Sequence, residues 1–532
     1  MWFLSKQINT IIYFSILIFT SLTMVWGNFT LTLSSYFLLA LWIFEGNYIQ
    51  KLKRLITSPP ALFFLFFSFV IFSWAAFQLP HPKAYKDIWQ NAPLFVFAFV
   101  MGSKERINVV QMHVILIVFV LSITVNTLFN YIFFIVNSSE FSDVRNVSLF
   151  MSYIRLSLYT LMGIVISVYY LFYHKYVPIS KKQRIVLWCC FIWLLFFVLF
   201  LGSITGYVVL LTLSIVFAFS QSFKQKDPKT RIIFLLFLIG SISTAGGIFL
   251  HELRFFTKTE KIVVSQLDST TLLGNLYRPF EQNSMLENGN WVNKYICDTE
   301  INKFWHLYSD IPIQGNDKKI QPIKSTLIRY LTSKGLRKDA SGLKHLSEED
   351  VINIENGCTN YRFVNNYHLS HRIYEVLWEF HYYLQGNSPA GHSVTQRLEF
   401  IKCAFKVHQK NKVWGTGPVN FIPELHAQYP HQEIRLPQKF WYKPHNQFLS
   451  FLVQYGYVGF IVIMICFIGI YVYAQSSHSI LSISWFVITV ISFLNEDTLE
   501  NINGLVFFAF FGCFLLCSQP NMRKYSIQKH VN

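Results

Sequence analysis

Long apolar stretches constrain this chain more than any other feature. A helix needs about 20 apolar residues to cross the hydrocarbon core of a bilayer. Stretches of roughly that length run at 9–26, 28–45, 60–79, 86–102, 108–137, 148–173, 185–202, 205–223, 232–252, 446–474, 480–494 and 504–518. Hydrophobic residues make up 53% of the 532 positions and charged residues 14%, which is too apolar for a soluble protein. The sequence therefore predicts an all-α polytopic membrane protein with about 12 transmembrane helices.

The basic residues predict its orientation. They concentrate in the loops at 46–59, 103–107, 174–184 and 224–231 and in the tail after residue 518. All of these lie on one side if the spans are counted from a cytoplasmic N-terminus, as the positive-inside rule requires. The first 26 residues resemble a signal peptide, but no small-residue cleavage site follows and a second span comes at once. We therefore expect an uncleaved first helix and two cytoplasmic termini.

This orientation predicts four regions: an N-terminal membrane region of about nine spans (1–252), an external segment (253–440), a C-terminal membrane region of about three spans (441–518) and a cytoplasmic tail (519–532). The external segment is too long for a structureless loop, so it is expected to fold. Apolar residues at helical spacing predict helices over 325–336 and 366–384. A further helix is predicted from a cap at Ser393 to about Gln409, with Gly415 to Pro418 ending regular structure.

Charge and cysteine content exclude some functions. The formal charge of +17 lies largely in short loops, where it sets topology, so we expect no nucleic-acid partner. The eight cysteines show no metal-ligand spacing, and no metal or other cofactor is predicted. Cys297 and Cys358 both lie in the external segment, where a disulfide is possible, but the sequence does not decide whether they pair.

Two ionisable residues stand near the ends of predicted spans. Arg155 falls in the sixth span, about two turns from its outer end. A guanidinium within a bilayer costs at least ~2.5–3.5 kcal/mol, so such a residue is by default a functional candidate, although a structural ion pair is the alternative. His445 follows Pro444 and precedes Asn446 at the start of the tenth span. An imidazole held at the membrane rim is suited to proton transfer near neutral pH, but it can equally be a plain interfacial residue.

Other candidates are weaker. Arg397 lies on the helix predicted after Ser393, where a surface salt bridge is the ordinary interpretation. Gly415 and Gly417 form a turn that could present backbone N–H groups to a phosphate, and Lys443 could contact a phosphate or a sugar. The acidic turn of Glu496, Asp497 and Glu500 is interpreted as helix capping.

The order of these parts resembles the O-antigen ligase and polymerase superfamily. The matching residues are Arg155, Arg397, the sequence Val413-Trp414-Gly415-Thr416-Gly417 leading on to Phe421, the motif His445-Asn446-Gln447-Phe448-Leu449, and then Gly456 and Gly459. The block from Thr326 to Asp339 also resembles one branch of these ligases. Family members often carry Ser-Arg-x-Gly at the turn between the seventh and eighth spans, whereas this chain has Ile204 at the arginine position.

The resemblance implies a GT-C-like membrane glycosyltransferase of the bacterial inner membrane, with its active site facing the periplasm. Such an enzyme moves a glycan from undecaprenyl diphosphate to an acceptor hydroxyl such as that of lipid A-core, without a metal and with inversion. His445 would be the base, Arg155 and Arg397 would hold the diphosphate, and Asn446, Lys443, Gly415 and Gly417 would bind substrate. The external segment at 253–440 would then be a mainly helical periplasmic segment between spans nine and ten.

Four alternatives remain open at this point. With the same donor, the enzyme could be a repeat-unit polymerase or a protein O-oligosaccharyltransferase, because only the acceptor differs. A polyprenyl-lipid transporter is less favoured, since neither internal repeats nor several intramembrane charges are evident. A membrane receptor would leave Arg155 without a role.

Overall fold

The structure, a computed structural model, describes residues 6–137, 147–173, 179–224, 227–281, 285–364, 369–433, 436–477 and 479–518. Within these ranges the α-helices are α1 (Lys6–Thr23), α2 (Asn28–Glu45), α3 (Tyr48–Ile56), α4 (Pro59–Ala76), α5 (Pro82–Ser103), α6 (Val109–Val136), α7 (Tyr153–Val168), α8 (Lys181–Phe200), α9 (Ile204–Lys224), α10 (Pro228–Thr257), α11 (Asp298–Phe304), α12 (Ile323–Ser333), α13 (Ala340–Lys344), α14 (Glu348–Glu355), α15 (Leu369–Leu384), α16 (Thr395–Lys410), α17 (Gly417–Gln428), α18 (Gln447–Ser476), α19 (Ile480–Asn495) and α20 (Ile502–Cys513). One two-stranded antiparallel hairpin joins β1 (Leu286–Glu287) to β2 (Asn290–Trp291).

A helix occupies each of the predicted spans, so the expectation of a helical protein rich in apolar spans is confirmed. In the described residues seven helices are long and apolar enough to cross a membrane, namely α4, α6, α7, α8, α9, α10 and α18. Helices α19 and α20 are apolar but shorter. The number of spans and their orientation stay predictions, and the predicted tail at 519–532 lies outside the described residues.

The chain forms two compact units. The first contains α1 to α8, most of α9, and α16 to α20, whereas the second contains α10 to α15. The division at residue 385 falls inside the segment predicted at 253–440. The boundaries proposed from the sequence therefore stay predictions.

Helix α20 lies at the centre of the first unit. Every residue from Asn503 to Cys513 is buried, as expected of a helix that is apolar on all sides. The ring of Phe508 packs against aromatic rings of α4, α18 and α19, among them Phe67, Phe467 and Trp485. The turn that leads into α20, at residues 496–501, is therefore anchored by the most deeply buried helix of the unit.

The second unit has its own core around Trp305, Leu327 and Leu331. Its helix α12 confirms the helix predicted over 325–336, and α15 confirms the one predicted over 366–384. Cys297 and Cys358 are both free thiols, so the structure does not contain the disulfide that the sequence left open.

Two local predictions around α16 are wrong. The helix begins at Thr395 with Val394 at its N-cap position, and no side-chain cap bond is made there, so Ser393 does not cap it. The glycine turn does not end regular structure either, because α17 begins at Gly417 with Pro418 in its first turn. Proline suits that position, since its missing N–H would have no partner within the helix.

Candidate active site

The candidate site is built around the acidic turn between α19 and α20. Glu496 is 5% exposed and Asp497 is 4% exposed, while Glu500 is partly exposed. Buried carboxylates are stable only when they are paired or hydrogen-bonded. Each of the three makes such contacts, and those contacts bring together residues that are far apart in the sequence.

Glu496 connects the two candidates His445 and Arg397. Its Oε1 accepts a hydrogen bond from Nη2 of Arg397 at 2.9 Å, and its Oε2 lies 3.3 Å from Nδ1 of His445. The arginine comes from α16 and the histidine from the residues that precede α18, so one carboxylate joins three parts of the first unit. The histidine and arginine picked from the sequence thus lie side by side.

The charge state of Glu496 favours this arrangement. Burial opposes its ionisation, but the hydrogen bond from His445 and the positive charges of Arg397 and Arg155 hold the pKa of the carboxyl below its ordinary value. An ionised Glu496 accepts a hydrogen bond from Nδ1–H of the imidazole. That bond selects the tautomer whose Nε2 carries the free lone pair.

The backbone of His445 is held in an uncommon conformation. Its φ is +51°, a left-handed value that few non-glycine residues adopt. The N–H of His445 donates to Oδ2 of Asp497 at 3.0 Å, and Oγ of Ser450 donates to the other oxygen of the same carboxylate. Asp497 therefore fixes the main chain that presents the imidazole.

Asn446 caps α18 directly after the histidine. Its Oδ1 accepts from the N–H of Leu449 at 2.9 Å, and its Nδ2 donates to the carbonyl of Leu494 at 3.1 Å. An asparagine cap of this kind stabilises a helix N-terminus by about 1 kcal/mol. The structure gives Asn446 a positioning role, while its predicted contact with substrate stays a prediction.

Lys443 is paired with Glu500. The two atoms Nζ and Oε2 lie 2.7 Å apart, and Gln454 donates to the other carboxylate oxygen at 2.8 Å. Desolvation opposes ionisation of Glu500, but Lys443 and Gln454 hold its pKa below the ordinary value. For Asp497 burial prevails and raises the pKa. A phosphate approaching Lys443 would therefore have to compete with a carboxylate already in place.

Arg155 lies in the first turn of α7, because residues 147–152 are not α-helical. The sequence had placed it two turns into a span, so this prediction is corrected. Its Nη1 donates to Oγ of Ser152 at 2.8 Å, while its buried Nε has no hydrogen-bond partner. No carboxylate of the described residues pairs with it within 4 Å, yet its charge acts on Glu496. Among the described residues, Arg155 is therefore the guanidinium of this site without a carboxylate partner.

The turn that carries Ile204 packs on the same helix. A Cβ built on Gly206 would lie 3.7 Å from Cβ of Ser157, two residues beyond Arg155. Ile204 and Arg155 thus each lie two residues before a pair of residues that approach each other, Gly206 and Ser157. Where family members often carry an arginine, this chain has the apolar Ile204, and α9 begins there.

The glycines of the turn before α17 serve backbone packing. Gly415 and Gly456 both have positive φ, and a Cβ on Gly415 would lie 2.4 Å from the carbonyl oxygen of Gln454. The N–H of Gly415 donates to Asn411 and that of Thr416 to Val453. These two amides are not free to bind a phosphate in this structure, whereas a binding role for Gly417 stays a prediction.

The turn before α17 packs against a kink in α18. Gly456 interrupts that helix with φ +60° and ψ −168°, and the amides of Tyr457 and Val458 donate to the carbonyls of Lys412 and Val413. Gln78 fastens the start of α17 from the other side, through bonds to Thr416 and Val419. The turn at Gly415 and the kink at Gly456 thus hold α18, the helix that Asn446 caps, in place.

Over the described ranges no group of three or more His, Cys, Asp or Glu side chains is arranged to hold a metal ion. The groups described at this site are one imidazole, two guanidiniums, one ammonium group and three carboxylates.

The sequence was also compared with known proteins. Residues 362–464 match the family model described as O-antigen ligase. This part of the chain is similar to the O-antigen ligase family. The resemblance to the O-antigen ligase and polymerase superfamily is thereby confirmed, and members of this family are membrane glycosyltransferase-like enzymes. The search among curated proteins gave no match.

The matched region, residues 362–464, contains His445 and Arg397 but neither Arg155 nor Glu496. Glu496 is the residue that sequence reasoning missed, because a carboxylate after an apolar helix is usually interpreted as a cap. One signal pointed to it. Three carboxylates lie together in a short turn on the side of the membrane predicted for His445, and such charges next to apolar helices need cationic partners.

Proposed function

We propose that this protein is an O-antigen ligase-type glycosyltransferase. It would move a glycan from undecaprenyl diphosphate to an acceptor hydroxyl, such as one on lipid A-core, at the periplasmic face of the bacterial inner membrane. The observation that carries the proposal is the single carboxylate of Glu496 between His445 and Arg397, two residues of the region that matches the O-antigen ligase family.

The proposed reaction uses these groups in one step. Nε2 of His445 takes the proton of the acceptor hydroxyl while its oxygen attacks the anomeric carbon. The bond from that carbon to the diphosphate oxygen breaks, and the electron pair leaves with the diphosphate. Arg155 and Arg397 stabilise the charge that develops there, since a guanidinium binds two phosphate oxygens at once. Direct attack inverts the anomeric centre, and no step requires a metal.

Glu496 acts as a positioning residue for the base. Its negative charge stabilises the imidazolium that forms as the proton arrives, and its contact with Nδ1 orients the ring. Asp497 holds the backbone of the same histidine. The burial of Glu496 and Asp497 supports these positioning roles, because a buried carboxylate is stable only with hydrogen-bonding or charged partners.

The test is the glycan profile of membranes from a strain lacking the gene, complemented with the wild-type chain or with His445→Ala. Lipid A-core without polymer, together with accumulating lipid-linked polymer, supports a ligase. Single repeats on the core indicate a repeat-unit polymerase, and loss of protein glycans alone indicates a protein O-oligosaccharyltransferase. An unchanged profile contradicts the whole class. Restoration by His445→Ala contradicts the assignment of the base.

A further inference from the structure

A second polar site lies at the far end of the first unit. Helix α5 begins beside the candidate active site, where Nζ of Lys83 donates to the carbonyl of Val419. Its 22 residues extend over about 33 Å to Ser103. At that end a cavity of about 180 Å³ opens between the start of α1, the α2–α3 turn and the α5–α6 loop. None of the residues used in the proposed reaction lines it.

The inner wall of the cavity holds two lysines that share one carboxylate. Nζ of Lys104 lies 2.7 Å and Nζ of Lys51 lies 3.2 Å from the same oxygen of Glu45. Lys51 is 1% exposed and Lys104 is 9% exposed. Burial lowers the pKa of both ammonium groups, and only one negative charge offsets the pair. The inner wall therefore has one positive charge in excess.

The outer wall of the cavity also carries more positive than negative charges. One oxygen of Glu105 pairs with both Lys6, at 3.2 Å, and Arg54, at 2.7 Å. Arg106 also lines the cavity, and no carboxylate among the described residues pairs with it. Five cations thus face two carboxylates, an excess of three positive charges around one small volume.

Helix α3 borders the cavity and has the character of a membrane-surface helix. It carries Lys51 and Arg54 toward the cavity, while Ile49, Leu52 and Ile56 remain exposed at 74%, 41% and 68%. A short helix with a basic side and an exposed apolar side lies in the membrane interface, with its apolar residues among acyl chains. An anion reaching this cavity is therefore flanked by lipid.

We propose that this cavity binds the phosphate of an anionic phospholipid headgroup. The excess of positive charge selects an anion, and the volume accommodates a phosphate with a small polar substituent. The exposed isoleucines and leucine of α3 favour a lipid over a soluble anion, because they offer a surface for the chains attached to that headgroup. Basic pockets between membrane helices bind such headgroups elsewhere.

The experiment uses the full chain purified in a mild detergent and needs no transfer activity. Native mass spectrometry counts the lipids retained after addition of phosphatidylglycerol or phosphatidylcholine, and a thermal-shift assay runs in parallel. We expect retained phosphatidylglycerol and a raised Tm, with no such effect from phosphatidylcholine. Equal retention of both lipids overturns the proposal. A Tm increase with inorganic phosphate that matches phosphatidylglycerol overturns the assignment to a lipid.

Two charge variants test the cavity itself. Arg106→Gln removes the unpaired cation and is expected to weaken phosphatidylglycerol binding about fivefold. Glu105→Gln frees Lys6 and Arg54 and is expected to strengthen binding. Arg184→Gln is the matched control, since it removes the same charge from the first turn of α8, which does not line the cavity. Equal affinity in all three variants overturns the site.

Discussion

Replacing Glu496 with glutamine tests the candidate site most directly. The amide keeps the shape of the side chain but removes the charge that faces Nδ1 of His445 and Nη2 of Arg397. A hydrogen bond to a charged group contributes about 1.5–3 kcal/mol. Loss of that stabilisation for the imidazolium corresponds to roughly a 10- to 100-fold fall in kcat.

The same variant is expected to act differently on donor binding. Glu496 occupies one donor of Arg397, so removal of its charge leaves that guanidinium freer to bind a diphosphate. We therefore expect kcat to fall while KM for the lipid-linked donor stays level or decreases. A purely structural defect would instead lower the amount of active protein without producing this split.

The assay measures initial rates of transfer by purified protein at several donor concentrations. Glu348→Gln, an exposed position in α14, is the matched control and should behave as wild type. Wild-type kcat in Glu496→Gln, or a fall in kcat of the same size in Glu348→Gln, would refute the reasoning.

The pH dependence of stability follows from the same carboxyl group. The pKa of Glu496 is lower in the folded protein than its ordinary value of 4.5. The stabilising contribution is therefore present above pH 4.5 and is lost as the pH falls through the folded value. Glu496→Gln should remove this acid-dependent part of the Tm profile, which a thermal-shift series below pH 5 would reveal.

Three further predictions concern substitutions in the first unit. The last of them has a control substitution, at Gly240, in the second unit. His445→Ala should abolish transfer while expression, membrane insertion and Tm stay near wild type; retained activity in a membrane assay would contradict the proposed base. Arg155→Ala and Arg397→Ala should raise KM for the donor, and lysine at either position should restore only part of the loss, because it offers a point charge rather than a fork. Gly456→Ala should destabilise the protein by about 1–3 kcal/mol, since a Cβ would lie 2.3 Å from the carbonyl oxygen of Val413 at a φ of +60°. Gly240→Ala, with nothing within 4 Å, should leave Tm unchanged or slightly raised.

The helices could be predicted from the sequence because their signals are local. An apolar run of 20 residues, or a stripe at 3.6-residue spacing, is sufficient to specify α6 or α15 without knowledge of any partner. The start of α7 could not be predicted in this way. Residues 147–152 are nearly as apolar as the helix that follows, so composition alone extended the span and placed Arg155 too deep.

The site contacts could be predicted only in part. His445 and Arg397 were recognised through a motif, but their common partner lies 51 and 99 residues away along the chain. Capping and catalytic positioning use the same residue types at helix ends, so a carboxylate such as Glu496 does not reveal its role before the tertiary contact is known. The same holds for Gly415 and Gly456, whose close backbone approach has no local signal.

The proposed function also gives the acidic turn an expected role in the release of the diphosphate. Arg397 and Lys443 each have a carboxylate partner, and Arg155 has none among the described residues. A diphosphate would meet one unpaired guanidinium and two cations that must exchange one anionic partner for another. Contact of the diphosphate with Arg155 would be favourable, because that guanidinium has no carboxylate partner among the described residues. Contact with Arg397 or Lys443 would gain little free energy, because each would lose its carboxylate partner. We therefore expect the diphosphate to bind and still to dissociate. If the proposed function is correct, we expect the three carboxylates beside the three cations to allow release of the diphosphate, which a site with the cations alone would retain.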